Sequence, residues 1–204
     1  FVLPAVIPQR TVVELSPRRD RRVVAWSANV EAAERLKEFE LGSEAPTRTW
    51  IDYVQGVTVA LRRRGHRIEG ADLRLESRVP IGSGLSSSAA LEVAVARAFR
   101  SACDLALDDV ELAMVGKWAE NEFVGVPTGI MDQMAASLGE SGTAIFLDTR
   151  SMRYERVSIP RNLELVVIDS GVRHRLVSGE YAVRRSQCEE ACHRLGVAQL
   201  RDLS

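Results

Sequence analysis

Apolar and polar positions along the chain change period several times, and each change marks an element. Thr11-Val12-Val13-Glu14-Leu15 and Val23-Val24-Ala25-Trp26 read as strands joined by the polar turn around Pro17–Asp20. A polar stretch from Glu31 to Thr47 follows, with Pro46 near its end as a helix-start signal. Over residues 48–64, Trp50, Val54, Val57, Ala60 and Leu61 fall at helical spacing, and Gly65 is a suitable stop. Leu73, Leu75 and Ser77 then alternate with Arg74, Glu76 and Arg78, the period-2 pattern of a half-buried strand. Residues 85–102 contain no Gly or Pro, and Leu91, Val95, Ala98 and Ala102 predict the next helix.

Asp108 and Glu111 stand at capping-box spacing and open a further helix expected to reach about Glu122. Residues 127–138 read as a loop and a short helix ended by Gly139. The apolar runs Thr143–Leu147 and Leu165–Ile168 are predicted strands, and a helix from about Glu180 to Leu195 comes last. Helices and strands do not alternate regularly, so the pattern predicts an α+β fold rather than a parallel α/β sheet.

Between the strand at 73–77 and the helix after it lies Pro80-Ile81-Gly82-Ser83-Gly84-Leu85-Ser86-Ser87-Ser88-Ala89-Ala90-Leu91-Glu92. Gly82 and Gly84 reach backbone angles closed to other residues and let the main chain approach a ligand closely. A helix starting here aims its unpaired N–H groups and positive dipole end at an anion. Taken alone, such a stretch also suits a turn closed by a Ser N-cap. It matches neither common nucleotide signature: no Gly-Lys-Ser/Thr follows, and the third glycine of the dinucleotide fingerprint is missing. A phosphate loop without a lysine needs its positive charge from elsewhere, most simply from a divalent ion.

The bulk numbers narrow the partners. The 204 residues suffice for one large domain or two small ones, and 46% apolar with 27% charged residues is ordinary for a globular chain. A net charge of −1 argues against a general nucleic-acid or membrane surface. The short arginine runs at 18–19, 21–22 and 62–64 are interleaved with acids and read as solvated faces. Three scattered cysteines suit reduced thiols inside the cell, and Cys188, Cys192 and His193 lack the second ligand pair of a metal site. No apolar run is long enough to span a membrane. The first residue is Phe1, so a piece of a longer chain is expected.

Ala119-Glu120-Asn121-Glu122-Phe123-Val124-Gly125-Val126-Pro127-Thr128-Gly129-Ile130-Met131-Asp132-Gln133 is the second dense segment. Pro127 and Gly129 fix a turn that can aim Asp132 back at the helix carrying Glu120. One carboxylate to hold a metal and one to accept a proton is what phosphoryl transfer to a hydroxyl requires. Spacing alone leaves both acids equally suited to solvated helix faces.

The strings VPIGSGLSSSAALEVAVA and AENEFVGVPTGIMDQ resemble the second motif and the catalytic segment of galactokinases, in the GHMP kinase superfamily. The likeness continues in DSGVRHRLVSGEYAVRRSQCEEA, WIDYVQGV and the opening FVLPAVI, and so runs through nearly the whole chain. The resemblance implies a GHMP kinase fold: residues 1–160 would form the ATP- and sugar-binding N-terminal domain and 161–204 the beginning of the C-terminal one. It implies transfer of the ATP γ-phosphate to the C1 hydroxyl of galactose, with Mg²⁺, in a cytoplasmic monomer whose partner is the small sugar.

By matching positions, Pro80, Gly82, Ser83, Gly84, Leu85, Ser86, Ser87 and Ser88 would surround the nucleotide phosphates, and Ser27 and Trp50 would lie near the base. Ser88 and Glu120 would hold Mg²⁺, Asp132 would be the catalytic base facing the sugar, and Gly129 and Tyr181 would contact the sugar. The family's signature resembling GRVNLIGEHTDYNDG is expected before Phe1 and its GGGFGG-like motif after Ser204, so the 204 residues alone are expected to be inactive. Kinases of N-acetylgalactosamine or arabinose are the nearest alternatives. A galactose- and ATP-binding transcriptional sensor is a further one, disfavoured by the intact serine loop and by Asp132. If the chain folds only with such flanking segments, an N-terminal strand at Phe1–Ile7 would be left with an unpaired edge.

Overall fold

The computed structural model describes residues 1–163, 165–168 and 180–203. Four strands, β1 (Thr11–Pro17), β2 (Arg22–Ser27), β3 (Leu36–Glu40) and β4 (Ala71–Ser77), form one sheet in the order β1-β4-β2-β3. β4 pairs antiparallel with β1 and parallel with β2, while β3 pairs antiparallel with β2. Parallel neighbours need a crossover, here made through β3 and helix α1 (Ile51–Arg63). β2 and β4 therefore finish at the same end of the sheet, with Ser27 opposite Leu75. Asn29 ties that end together: its amide donates to the Ser77 carbonyl and its oxygen accepts from the Ser77 N–H, both at 2.7 Å. The loop that starts at Pro80 leaves from this corner.

Helices α2 (Ser87–Ala102) and α3 (Asp109–Trp118) pack with α1 against the sheet, and Val23, Leu61, Leu73, Val95, Phe99 and Leu112 are buried between them. Burying a side chain such as Phe99 completely contributes about 1.5–3 kcal/mol. The Asp108 carboxylate accepts from the Glu111 N–H at 2.7 Å while Glu111 accepts from the Asp108 N–H at 2.8 Å, the reciprocal cap that the spacing predicts.

A smaller core lies between α3, α4 (Met131–Leu138) and the hairpin β5 (Thr143–Leu147)–β6 (Tyr154–Ser158), around Met134, Leu138, Ile145 and Leu147. Phe1–Ile7 is not left without a partner: Val2 exchanges backbone hydrogen bonds with Leu147 at 3.0 and 2.9 Å, and Ile145 donates to Pro4 at 2.8 Å. Helix α5 spans Glu180–Leu195 as predicted. Among the described residues no helix is long and apolar enough to cross a membrane.

Four expectations are corrected. The polar stretch 31–47 contains β3, an edge strand whose charged residues face water. β6 was not expected from its exposed sequence YERVS. Residues 165–168 are apolar and exposed but form no strand. The helix opened at Asp109 stops at Trp118 and widens into a π turn over Ala119–Val124, so it does not continue to Glu122 as an α-helix. Gly56 of α1 makes this turn's position possible, because a Cβ there would lie only 2.9 Å from the Ala119 Cβ.

Candidate active site

The loop 80–86 alternates in handedness. Gly82, Gly84 and Ser86 have φ of 72°, 75° and 58°, and the residues between them do not share this sign. Successive residues of opposite hand turn their N–H groups toward one concave side, the geometry of an anion nest. Ser86 stands at the N-cap position of α2, yet no side chain caps the helix. The simple reading of a turn closed by a Ser N-cap is therefore wrong. A serine with left-handed backbone is strained by about 1–3 kcal/mol, a cost that clusters at ligand-binding sites. Pro80, Ser83 and Gly84 are exposed, Gly82, Leu85, Ser86, Ser87 and Ser88 are half-buried, and the Ser83 hydroxyl donates to the Pro80 carbonyl at 2.8 Å.

Behind the loop lies a buried polar cluster. The π turn carries Glu120 inward, where it is 2% exposed. That excludes a solvated helix face for this residue. Burial raises its carboxyl above the ordinary value; the Ser88 and Thr128 hydroxyls and the Gln133 amide oppose the rise, and the Asp132 charge adds to it. Ser88 from α2, Glu120 from the π turn and Asp132 from α4 thus meet at one place, with Asp132 half-exposed at its rim.

The connecting loop is clipped to the π turn. Thr128 N donates to Asn121 Oδ1 at 2.8 Å, and Asn121 Nδ2 returns a bond to the Thr128 carbonyl at 3.2 Å. The Thr128 hydroxyl lies 3.2 Å from Glu120 Oε2 and 3.0 Å from Asn121 Oδ1. Gln133 Nε2 donates to Glu120 Oε2 at 2.7 Å and to Glu92 Oε2 at 3.2 Å. Glu120 Oε1 remains buried without a partner. Tyr53 of α1 closes the cluster from another side; its phenol is pushed up to about 12 by burial and by the charges of Glu120, Glu92 and Asp52.

The remaining predicted residues divide into two groups. Gly129 and Tyr181 are neighbours, since a Cβ on Gly129 would stand 3.3 Å from the Tyr181 hydroxyl. Ser27 and Trp50 lie near the sheet corner: Ser27 ends β2 and is 7% exposed, and Trp50 Nε1 donates to the Glu34 carbonyl at 2.9 Å. Part of the string DSGVRHRLVSGEY, residues 169–179, lies outside the described residues.

Sequence reasoning missed Glu92, Gln133, Thr128, Asn121 and Tyr53. Glu92 left a legible signal, because it shares helical spacing with the buried Ala89, Val93, Ala96 and Phe99. An acid on the apolar face of a helix is rare unless it is paired.

Among the described residues no group of three or more His, Cys, Asp or Glu side chains could hold a metal by itself. A Mg²⁺ ion needs no such cage, since one or two carboxylates and substrate phosphates are its usual partners. The buried Glu120 carboxylate, with Oε1 unpaired and the Ser88 hydroxyl acting on the same group, fits that requirement.

Comparisons with known proteins bear on the fold. Residues 52–140 match the family model "GHMP kinases N terminal domain", a span that runs from α1 through α4. The chain is 44% identical over 191 residues to a galactokinase of Chloroflexus aurantiacus, covering 94% of this chain and 49% of that protein. A galactokinase of Chloroflexus aggregans matches to the same degree. The chain thus spans about half the length of the curated relatives it matches. Among solved structures, Lactococcus lactis galactokinase complexed with galactose superposes with a TM-score of 0.93 at 31% identity, over 99% of this chain and 54% of that one.

Proposed function

We propose, from the premise that this chain has the GHMP kinase fold and carries that family's N-terminal domain over residues 52–140, that it belongs to a galactokinase. The reaction is transfer of the ATP γ-phosphate to the C1 hydroxyl of galactose. Residues 1–160 form the nucleotide- and sugar-binding domain and 161–204 begin the next one. The protein works as a cytoplasmic monomer on a small free sugar.

The observation that carries the reading is the meeting of Ser88, Glu120 and Asp132 from three separate elements behind an anion nest. The N–H groups of residues 82–86 and the start of α2 hold the nucleotide phosphates. Ser27 and Trp50 flank the base. Ser88 and Glu120 would hold Mg²⁺, which would supply the positive charge that a loop without lysine lacks. Gly129 and Tyr181 sit against the sugar, leaving room for it because position 129 has no side chain.

Asp132 orients the sugar hydroxyl and accepts its proton as the new O–P bond forms and the bond from the γ-phosphorus to the departing ADP breaks. Its partial exposure lets it meet a substrate, while buried Glu120 is kept for the metal. The rest of the acceleration comes from positioning and charge stabilisation.

The test is a phosphorylation panel with MgATP and galactose, N-acetylgalactosamine, arabinose and glucose, using the gene product that contains these residues. Galactose 1-phosphate and ADP in equal amounts are expected. Preference for another sugar reassigns the acceptor. ATP and galactose binding with no turnover would overturn the kinase reading in favour of a sensor.

A further inference from the structure

Glu92 and Gln133 are fully buried polar side chains to which the reading above gives no task. Both protons of the Gln133 amide are committed, one to Glu120 Oε2 at 2.7 Å and one to Glu92 Oε2 at 3.2 Å. The amide is thus turned with its nitrogen toward both carboxyl groups, the arrangement in which one side chain bridges them. Glu120 Oε2 also faces the Thr128 hydroxyl, whereas Glu120 Oε1 has no partner.

Room for the arrangement is provided by Gly116 of α3. A Cβ there would lie 3.2 Å from both Gln133 Cγ and Glu92 Cβ, and 3.3 Å from Glu92 Oε2. Glu92 Oε1 and Gln133 Oε1 are themselves buried and unpaired. An apolar side chain would fill either position with less desolvation cost. Core stability does not account for these two residues.

We propose that Gln133, anchored by Glu92, is a positioning residue that locks the rotation of the Glu120 carboxylate, occupying Oε2 and leaving Oε1 as the oxygen available to a divalent cation. The proposal rests on the reading of Glu120 as a metal ligand. Glu92 acts through Gln133 and touches neither metal nor substrate.

The probe is Mn²⁺, titrated into the full gene product with ATP and followed by water-proton relaxation enhancement, with Mn²⁺ and ATP without protein as the blank. Glu92→Met and Gln133→Met are expected to weaken Mn²⁺ binding about tenfold or more, the usual loss when a residue supporting a metal ligand is removed. ATP binding without metal should stay unchanged. Glu92→Gln, whose amide oxygen still accepts from Gln133, should restore wild-type Mn²⁺ affinity.

Wild-type Mn²⁺ affinity in both Met variants would overturn the proposal, as would a parallel loss of metal-free ATP binding, which marks general damage. If the Met variants do not fold, the wild-type protein decides the matter by NMR. Both Gln133 side-chain amide protons should be protected from exchange, and rapid exchange overturns the lock. Wild-type protein that takes up no Mn²⁺ with ATP would refute the metal reading of Glu120 itself, a separate outcome from unaffected variants.

Discussion

The loop at 80–86 and the cluster around Glu120 lie next to each other and are built in opposite ways. The loop is open to solvent at Pro80, Ile81, Ser83 and Gly84, carries a strained serine, and leaves the helix behind it without a side-chain cap. The cluster is buried, and Thr128, Asn121, Gln133 and Glu92 hold it in place. On the proposed function, the contrast teaches that the two halves of a phosphoryl-transfer site can be prepared differently. Main-chain donors aimed at an anion need no fixed side-chain partner, because the ligand brings several acceptors. A carboxylate meant for a metal has to be fixed beforehand, because a rotated carboxylate would misplace the ion.

The largest expected effect comes at the rim that both halves share. Asp132→Asn should lower kcat by roughly 10²–10⁴ while leaving ATP affinity unchanged, as read by steady-state kinetics and calorimetry. Parallel loss of ATP binding would mean that Asp132 belongs to the nucleotide half instead.

Next is the packing beneath the cluster. A Cβ at Gly56 would lie 2.9 Å from Ala119 Cβ and 3.1 Å from the Ala119 backbone, which cannot easily move aside. Gly56→Val should therefore cost about 1–3 kcal/mol, the usual range for overpacking, measured by urea unfolding. Because Ala119 precedes Glu120, metal affinity should fall with it. An unchanged variant would mean that the π turn is less firmly seated than the cluster's burial implies.

A third expectation concerns pH. Burial, followed by the charge of Glu120, holds the Glu92 carboxyl well above its ordinary value of 4.5, and the bond from Gln133 opposes this only in part. Below pH 4.5 the residue is protonated whether the chain is folded or not, and contributes nothing to the pH dependence. Above it the unfolded chain releases the proton and the folded chain retains it, so stability is lost as pH rises toward the folded value. Glu92→Gln removes that loss. In metal-free buffer its stability relative to wild type should increase as the pH rises above 5, as read by denaturant midpoints. A constant difference would show that Glu92 ionises freely inside the fold.

The smallest effect is expected in the loop. Ser86→Gly relieves a left-handed backbone at φ 58°, but glycine also gains freedom when unfolded, so the net change should stay within about 1 kcal/mol. Thermal unfolding checks this. A loss of several degrees would mean that the Ser86 side chain supports the loop in a way its backbone angles do not reveal.

What was legible in the sequence followed from local physics. The glycines at 82 and 84, the alternation of β4 and the cap at Asp108 each depend on a few adjacent residues, and all three appear in the structure as predicted. β3 and β6 escaped notice because their charged residues face water, and only pairing with a neighbour makes them strands. The apolar run at 165–168 failed in the opposite sense: hydrophobicity calls for burial but does not by itself supply a partner strand. Glu120 and Asp132 could be named as a pair, yet not separated by burial, since that depends on a π turn and on Gly56 in a distant helix. Glu92 and Gln133 were overlooked because polar residues are ordinarily assigned to the outside.

The central place of β4 bears on how the chain acquires its shape during synthesis. Among the described residues β1 has no hydrogen-bonded neighbour in the sheet except β4, which is made more than fifty residues later, and β2 and β4 pair across the same interval that contains α1. At roughly 5–20 residues per second on the ribosome, β1 therefore waits several seconds with both edges open while β2 and β3 close their hairpin. The sheet is completed when the last strand enters its middle. That strand leads directly into the glycine loop, so the nest acquires its fixed base only as the sheet closes.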